Sequence, residues 1–234
     1  MQRAADKLRL SVRRRFAPWR RLTATFGGRR RIGRLTVDPG AQELDQLRHE
    51  LIRLASDDRQ VRNELAADGS LFGGYHPRME AVHRRNAARL MAILDQYGWP
   101  GASLVGSEAA EAAWLIAQHA IGDPYFQRRC LRLLQEAAKR GEAQAWQPAM
   151  LEDRIRMFEG RPQVYGTQLE PDDQGQLRPY PIEDPEHVEE RRRAVGLEPL
   201  SAHLTRAERM PLPTDRARFA REYQAWLRRV GWRR

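Results

Sequence analysis

Polar side chains interrupt apolar residues at helical spacing in several parts of the sequence. His83 and Asn86 lie three residues apart on one predicted helical face, and Gln118 and His119 fall within the apolar run 112–121. An unpartnered polar group in a core costs about 1 to 3 kcal/mol, so each of these side chains needs a partner or a ligand. These positions are therefore candidates for binding or for chemistry.

A third such position is Asp153-Arg154, which lies between Leu151 and Ile155. An imidazole needs little pKa tuning to act near neutral pH, so His119 is the candidate general acid or base, and Asp153 is the second candidate catalytic group. A guanidinium binds carboxylates and phosphates through paired hydrogen bonds. Arg154 is therefore a candidate for holding an anionic group of a ligand.

The wider candidate site combines helical side chains with side chains from a predicted hairpin. The candidate ligand-binding residues are His83, Asn86, Gln118, Arg154, Tyr165, Thr167 and Gln168. Because mutual hydrogen bonding is the cheapest way to bury such groups, we expect His119, Gln118 and either Asp153 or Arg154 to line one pocket covered by the hairpin.

Each candidate also has a structural interpretation. A histidine in an apolar helix is often a hydrogen-bonded core residue, and Asp153 with Arg154 could form an ion pair that anchors the hairpin. The segment 165–168 could equally be a strand with Gly166 at a bulge. Cys130 lies among leucines and is expected to be a buried helix residue rather than a nucleophile.

Metal and cofactor motifs do not occur in the sequence. It contains no His-Glu-x-x-His motif, no pair of Glu-x-x-His helices and no phosphate-binding glycine loop. A single cysteine excludes an internal disulfide framework and a cysteine-clustered zinc site. We therefore expect neither a metal nor a cofactor.

Helices must position most of these candidates. Apolar periodicity and capping residues predict helices over about 43–55, 57–67, 77–97, 108–121, 124–140, 148–159, 185–195 and 216–230. The second of these begins at Asp57 or Asp58 as its N-cap. The turn-forming run 172–175 lies between two strand-like segments, which predicts a hairpin. The expected fold is mainly α, a compact helical domain of about six to seven helices with one short β-hairpin near 163–180.

Charge and composition divide the chain into three parts. The net charge is +10, and residues 1–40 alone hold twelve basic and two acidic side chains, which accounts for the whole excess. We predict a disordered basic arm over 1–40, a helical domain over 41–207, and a linker with an amphipathic helix over 208–234. The arm is either a solvated extension or a nonspecific nucleic-acid contact that works through phosphate neutralisation.

The hydropathy of the sequence gives an expectation for the cellular location of the protein. No run approaches the roughly 18 consecutive apolar residues of a membrane helix, and none resembles a secretory signal. We expect a cytoplasmic protein with no membrane partner. The sequence does not determine its oligomeric state.

Several ordered sequence blocks together resemble an uncharacterised bacterial family of unknown function, over about residues 42–206. The blocks are Asp68–Phe72, Tyr75–Pro77, His83–Asn86, Gly98–Pro100, Val105–Gly106, Ala113–Ala120, Phe126–Arg129, Leu151–Arg154, Gly160–Gln163, Tyr165–Gln168 and Pro179–Pro185. The resemblance implies a bacterial, cytoplasmic protein and places residues 1–40 and those after Pro211 outside the domain. It implies no reaction.

Two functional hypotheses follow from the sequence. In the first, a helical domain binds a small polar or anionic molecule in a pocket of His, Gln, Asp and Arg side chains, with or without acid/base catalysis. In the second, the chain is a noncatalytic interaction protein that binds a protein partner or nucleic acid through its arginine-rich termini. Whether the polar groups share one site distinguishes the two.

Overall fold

The computed structural model describes residues 40–172, 174–207 and 215–234. The predicted disordered arm, except for Gly40, and most of the predicted linker lie outside these residues. The described helices are α1 (Ala41–Ala67), α2 (Pro77–Tyr97), α3 (Ala102–His119), α4 (Pro124–Lys139), α5 (Trp146–Glu159), α6 (Val188–Ala194), α7 (Leu200–Ala207) and α8 (Arg216–Arg229). The strands are β1 (Leu169–Pro171) and β2 (Leu177–Pro179).

The described part of the chain has the predicted fold class, mainly α with one short antiparallel hairpin. Leu169 of β1 lies opposite Pro179 of β2. Each strand is only three residues long, because the predicted strand residues 163–168 form an irregular loop before β1. Helix α7 was not predicted, since its short apolar pattern lies between two proline-containing segments.

Local capping signals set two helix boundaries where the sequence predicts them. Helix α2 has Pro77 at its first position, where the missing N–H is harmless, and Gly98 follows its last residue. Helix α4 begins after Asp123, whose side chain accepts a hydrogen bond from the Phe126 amide at 2.9 Å. Cys130 on α4 is fully buried, as predicted.

Helix α1 is continuous over 27 residues, so the predicted break at Asp57 or Asp58 is wrong. The local sequence Ser-Asp-Asp is typical of an N-cap. Here Asp58 instead continues the buried stripe of Leu51, Leu54 and Leu65 on one face of the helix. Its carboxylate contacts His83 and His119 on other helices, so it does not bind backbone amides of α1 as an N-cap would.

Helix α1 packs most extensively along α3. Near its start, α3 is kinked at Gly106, whose φ of +78° favours glycine. The kink leaves the carbonyl oxygen of Val105 to accept a hydrogen bond from Arg48 Nε of α1 at 3.0 Å. Beyond the kink, α3 runs beside α1, which brings His119 next to Asp58.

Helix α8 is part of the core. Leu227 is fully buried, and the Trp226 ring packs edge-on against Tyr75 and Phe158. Just after the helix, Trp232 Nε1 donates a hydrogen bond to the Ile121 carbonyl at 2.7 Å. The C-terminal segment therefore covers the region where α3 ends.

None of the described helices is both long enough and apolar enough to cross a membrane.

The packing of α8 generates a stability prediction. We expect Leu227→Ala to lower the free energy of unfolding by about 2 to 5 kcal/mol, because it leaves a cavity in the core. Arg228→Ala, at the exposed neighbouring position, should change it by less than about 0.5 kcal/mol. Urea denaturation of the full chain measures both values. Equal small effects would mean that α8 does not contribute to the cooperative core.

Candidate functional site

The centre of the site is the carboxylate of Asp58, in the middle of α1 and only 1% exposed. His119 Nδ1, at the end of α3, lies 2.9 Å from Asp58 Oδ1. His83 Nε2, from α2, lies 3.1 Å from Asp58 Oδ2. One carboxylate therefore joins histidines from two other helices, and the two imidazole centroids are 5.3 Å apart.

Tyr75 extends this network beyond His83. Its hydroxyl lies 2.8 Å from His83 Nδ1, and its ring stacks on the imidazole with centroids 5.7 Å apart. Both nitrogens of His83 therefore face partners. The result is a chain of polar groups from Tyr75 through His83 and Asp58 to His119.

The electrostatics of the pair favour a neutral His119 beside an ionised Asp58. Burial opposes ionisation of Asp58, but the hydrogen bond from His119 and the adjacent imidazole of His83 hold its pKa well below the usual range. Burial lowers the pKa of His119 despite its hydrogen bond to Asp58, and the charge of Arg154 lowers it further. His119 is therefore neutral at pH 7.

The tautomer of His119 follows from its partner. Because the Asp58 carboxylate can only accept, Nδ1 carries the proton and Nε2 carries the lone pair. Nε2 has no hydrogen-bond partner among the described residues, and the side chain is 20% exposed. A neutral imidazole with one nitrogen fixed and the other open can take a proton from a ligand.

The same three groups also have the composition of a metal site. One donor atom from each of Asp58, His83 and His119 lies within 4.8 Å of the other two. Two imidazoles and a carboxylate suit zinc or another divalent transition metal. The 3.1 Å approach of His83 Nε2 to Asp58 Oδ2 is not aligned as a hydrogen bond, which is compatible with shared coordination.

Asp153 lies in a second network and is completely buried. Its carboxylate accepts hydrogen bonds from the amides of Val164, Tyr165 and Thr167 and from the Thr167 hydroxyl, at 2.7 to 3.2 Å. These contacts fold the loop 163–168 around one side chain. They favour a structural role for Asp153, and they explain why this segment is not a strand.

Gly166 allows the loop to turn. Its φ is +69°, and a Cβ there would lie 3.0 Å from Ile182 Cδ1 and 3.2 Å from Leu200 Cδ1. The buried Arg192 guanidinium donates to the carbonyl of Tyr165 at 2.6 Å. A left-handed backbone and tight packing therefore both require glycine at this position.

Arg154 lies between the two networks. Its Nη1 donates to the Gln118 carbonyl at 2.9 Å, and its Nε donates to Gln168 Oε1 at 3.3 Å. Within the described residues no carboxylate contacts it, so the ion pair with Asp153, one of the two interpretations of this dipeptide, does not form. Burial lowers the pKa of Arg154 to about 10, although Tyr223 raises it and Arg62 lowers it further.

The other predicted binding residues have mixed surroundings. Asn86 is buried and donates from Nδ2 to the Leu54 carbonyl at 2.9 Å, one turn before Asp58. The Gln118 side chain makes only a long contact to the Met150 carbonyl, at 3.5 Å. The structure thus brings His83, His119 and Asn86 close to Asp58, and Arg154 close to Gln118 and Gln168. Tyr165 and Thr167 belong to the Asp153 network.

A cleft of about 530 Å³ lies beside His83. The residues that line it include Tyr75, Glu80, His83, Met91, Ala120 and Asp123. One edge of the imidazole network therefore borders open space.

Sequence reasoning missed Asp58 and Tyr75. For Asp58 a signal was present, since it continues the apolar spacing of Leu51 and Leu54 if the helix is continuous. A carboxylate on that stripe would have been recognised as a buried polar group. Tyr75 lies in a loop with no periodicity, so nothing in its pattern pointed to His83.

The Asp153 network generates a second stability prediction. Asp153→Asn replaces acceptors with an amide that cannot receive all four donors, and hydrogen bonds to a charged group are worth about 1.5 to 3 kcal/mol each. We expect a loss of about 3 kcal/mol or more in the free energy of unfolding. Glu152→Gln, which removes one side of a more exposed pair with Arg156, should cost less than about 1 kcal/mol. Chemical denaturation compares them, and similar losses would contradict a structural role for Asp153.

The lowered pKa of His119 predicts a pH dependence of stability. Above pH 6.5 this histidine is neutral in both states. Below it, the unfolded chain takes up a proton that the folded chain resists, so the free energy of unfolding should fall as the pH drops from 7 to 5. His119→Gln should flatten this slope, whereas the exposed His49→Gln should not. An unchanged slope in His119→Gln would refute the assignment.

Comparisons with known proteins bear on identity rather than on chemistry. No curated protein and no solved structure matches the chain. The model of one family, described as a family of unknown function and designated DUF6624, matches residues 45–210. That range contains all of α1 after its first four residues, helices α2 to α7, both strands, Asp58, His83, His119 and Arg154. The chain therefore belongs to the DUF6624 family.

Proposed function

We propose that the protein binds a small polar or anionic molecule and acts on it by acid/base chemistry at His119. The single observation that carries the proposal is the hydrogen bond between buried Asp58 and His119 Nδ1, which leaves Nε2 open. A structural histidine deep in a core would be expected to have both nitrogens satisfied. In His119, Nδ1 has a hydrogen-bond partner, and Nε2 has none among the described residues.

The surrounding groups have distinct roles in this proposal. Asp58 is a positioning residue, because it holds the tautomer in which His119 can accept a proton. His83 and Tyr75 hold Asp58 from the other side. Arg154 supplies positive charge beside His119 and binds the anionic part of the ligand.

The proposal extends to setting and partners. We place the protein in the cytoplasm of a bacterium, with a small polar or anionic ligand as its main partner. The competing proposal is a noncatalytic protein that binds a protein partner or nucleic acid through its arginine-rich termini. In the C-terminal segment, Arg233 donates to the Phe158 and Met157 carbonyls, which disfavours its use as a phosphate contact.

Loss of the open imidazole should abolish turnover. The full chain is incubated with a mixture of phosphate monoesters and carboxylate esters, and conversion is followed by proton and phosphorus NMR. For an ester that the protein converts, His119→Gln should slow conversion about 100-fold or more, the scale of general acid/base catalysis. His49→Gln, which changes an exposed histidine on α1, should leave it unchanged.

The outcomes separate the proposals. Conversion that survives in His119→Gln contradicts acid/base catalysis by this residue. Binding of the esters without any conversion would keep the ligand and exclude the catalysis, whereas the absence of both binding and conversion favours the alternative that the chain binds a protein partner or nucleic acid. Conversion that requires added Zn²⁺ and stops with a chelator would instead make Asp58, His83 and His119 metal ligands.

A further inference from the structure

Two buried polar atoms at the centre of the site lack hydrogen bonds. Asp58 Oδ2 and His83 Nε2 have no hydrogen-bond partner among the described residues. They lie 3.1 Å apart, but they are not oriented as a donor and an acceptor. The side chain of Asp58 is 1% exposed and that of His83 is 10% exposed. Because unsatisfied buried polar atoms cost free energy, this arrangement indicates a group that binds both of them.

The Tyr75 hydroxyl is placed to fix the ring of His83. It lies 2.8 Å from His83 Nδ1. The second nitrogen of a metal-binding histidine commonly donates its proton to an oxygen, which sets the tautomer. The tautomer in which Nδ1 donates to Tyr75 turns the lone pair of His83 Nε2 toward the Asp58 carboxylate. Two such electron-rich atoms repel each other unless a cation lies between them.

His119 supplies a third donor atom on the other side of the same carboxylate. Its Nδ1 lies 2.9 Å from Asp58 Oδ1, and one donor atom from each of the three residues lies within 4.8 Å of the other two. Around a tetrahedral ion with bonds of about 2.0 to 2.2 Å, the donor atoms lie about 3.3 Å apart. The two nitrogen–oxygen separations in this cluster are therefore close to those of a coordination shell.

From this arrangement we infer that Asp58, His83 and His119 bind one divalent transition-metal ion, for which Zn²⁺ is the best match. Imidazole nitrogens favour zinc over magnesium or calcium, and two histidines with one carboxylate form a known set of zinc ligands. Three protein ligands leave one position of a tetrahedral ion for water or a small molecule. The cleft beside His83 gives an ion a route to the cluster.

The absence of a sequence motif does not argue against this site. The motifs that the sequence lacks place their ligands within one helix or on a matched pair of helices. Here each ligand comes from a different helix, α1, α2 or α3, and the ligands meet only through packing. The expectation of no metal therefore rested on local patterns that a site of this kind does not produce.

The inference goes beyond the proposed function, because it gives a second occupant to the same side chains. Coordination uses the lone pair of His119 Nδ1, so the proton of the neutral ring is then carried by Nε2. A protonated Nε2 cannot accept a proton from a ligand. Zn²⁺ should therefore inhibit the conversion that depends on His119 in the metal-free protein.

Calorimetric titration of the untagged full chain with ZnCl₂, after a chelator has been used and removed by dialysis, tests the inference. We expect saturable binding of one ion per chain. Loss of a group that only supports a ligand weakens metal binding by about 10- to 100-fold. Tyr75→Phe should therefore weaken Zn²⁺ binding about 10-fold, and His83→Gln or His119→Gln about 100-fold or more.

Titration with Co²⁺ adds a readout of the coordination shell. Four-coordinate Co²⁺ absorbs visible light much more strongly than hydrated Co²⁺. We expect this absorption in the unchanged chain, its loss in His83→Gln and in His119→Gln, and its displacement by Zn²⁺. Circular dichroism checks that each variant keeps its helices, and the two histidine variants and Tyr75→Phe test the site independently of one another.

A second group of possible ligands provides the matched control. Asp184, Glu186 and His187 also lie within reach of one ion, but all three are exposed. His187→Gln should leave both Zn²⁺ affinity and the Co²⁺ absorption unchanged. Mg²⁺ should bind to the unchanged chain at least about 100-fold more weakly than Zn²⁺, because imidazoles supply two of the ligands.

Three results would overturn the inference. The first is the absence of saturable Zn²⁺ binding, which would leave the cluster as a metal-free polar network. The second is binding that survives in both His83→Gln and His119→Gln. The third is binding that is lost in His187→Gln, which would place the ion in the exposed group.

The inference and the proposed function fail in different ways. Conversion that depends on His119 in a protein that does not bind Zn²⁺ overturns only the metal site. Zn²⁺ binding that depends on His83 and His119, together with conversion that requires the ion, supports the metal site and overturns acid/base catalysis by His119. Zn²⁺ binding that inhibits the conversion supports both.

Discussion

The carboxylate of Asp58 is a charge removed from water in the middle of a helix, and the arrangement of α1, α2 and α3 depends on satisfying it. Such a group costs several kcal/mol to bury unless polar partners surround it. His119 and His83 supply those partners from two different helices. Asn86 ties α2 to the preceding turn of α1. The packing that buries the apolar stripe of α1 is therefore the packing that assembles the imidazoles.

A second buried acid, Asp153, orders the loop before the hairpin, and this affects the surroundings of His119. All of its acceptor capacity is directed at the amides and hydroxyl of the loop that precedes the hairpin. Its neighbour Arg154 consequently turns toward Gln118 and Gln168 without a carboxylate. Ordering the loop and leaving a cation unpaired beside His119 are two results of the same hydrogen-bond pattern.

The parts of the fold that could be predicted from sequence are those encoded by neighbouring residues. Helices α2 and α4 begin where Pro77 and the capping residue Asp123 predict. The break predicted near Asp58 failed because a capping signal was weighed without the tertiary partners that override it. The loop at 163–168 has strand-like composition, and only the distant Asp153 determines its path. The contact of Arg154 with the Gln118 carbonyl has no local signature at all, since it arises from packing of α5 against α3.

Helix α8 lies outside the part of the chain that matches the family. The family match ends at residue 210, whereas Trp226 lies beyond it and packs edge-on against Tyr75, which contacts His83. Asp58 and His119 therefore lie in the matched part of the sequence, and Trp226, which packs on Tyr75, lies in the part that is not matched. Substitutions confined to α8 can therefore change the packing around Tyr75 while the hydrogen bond between Asp58 and His119 stays intact.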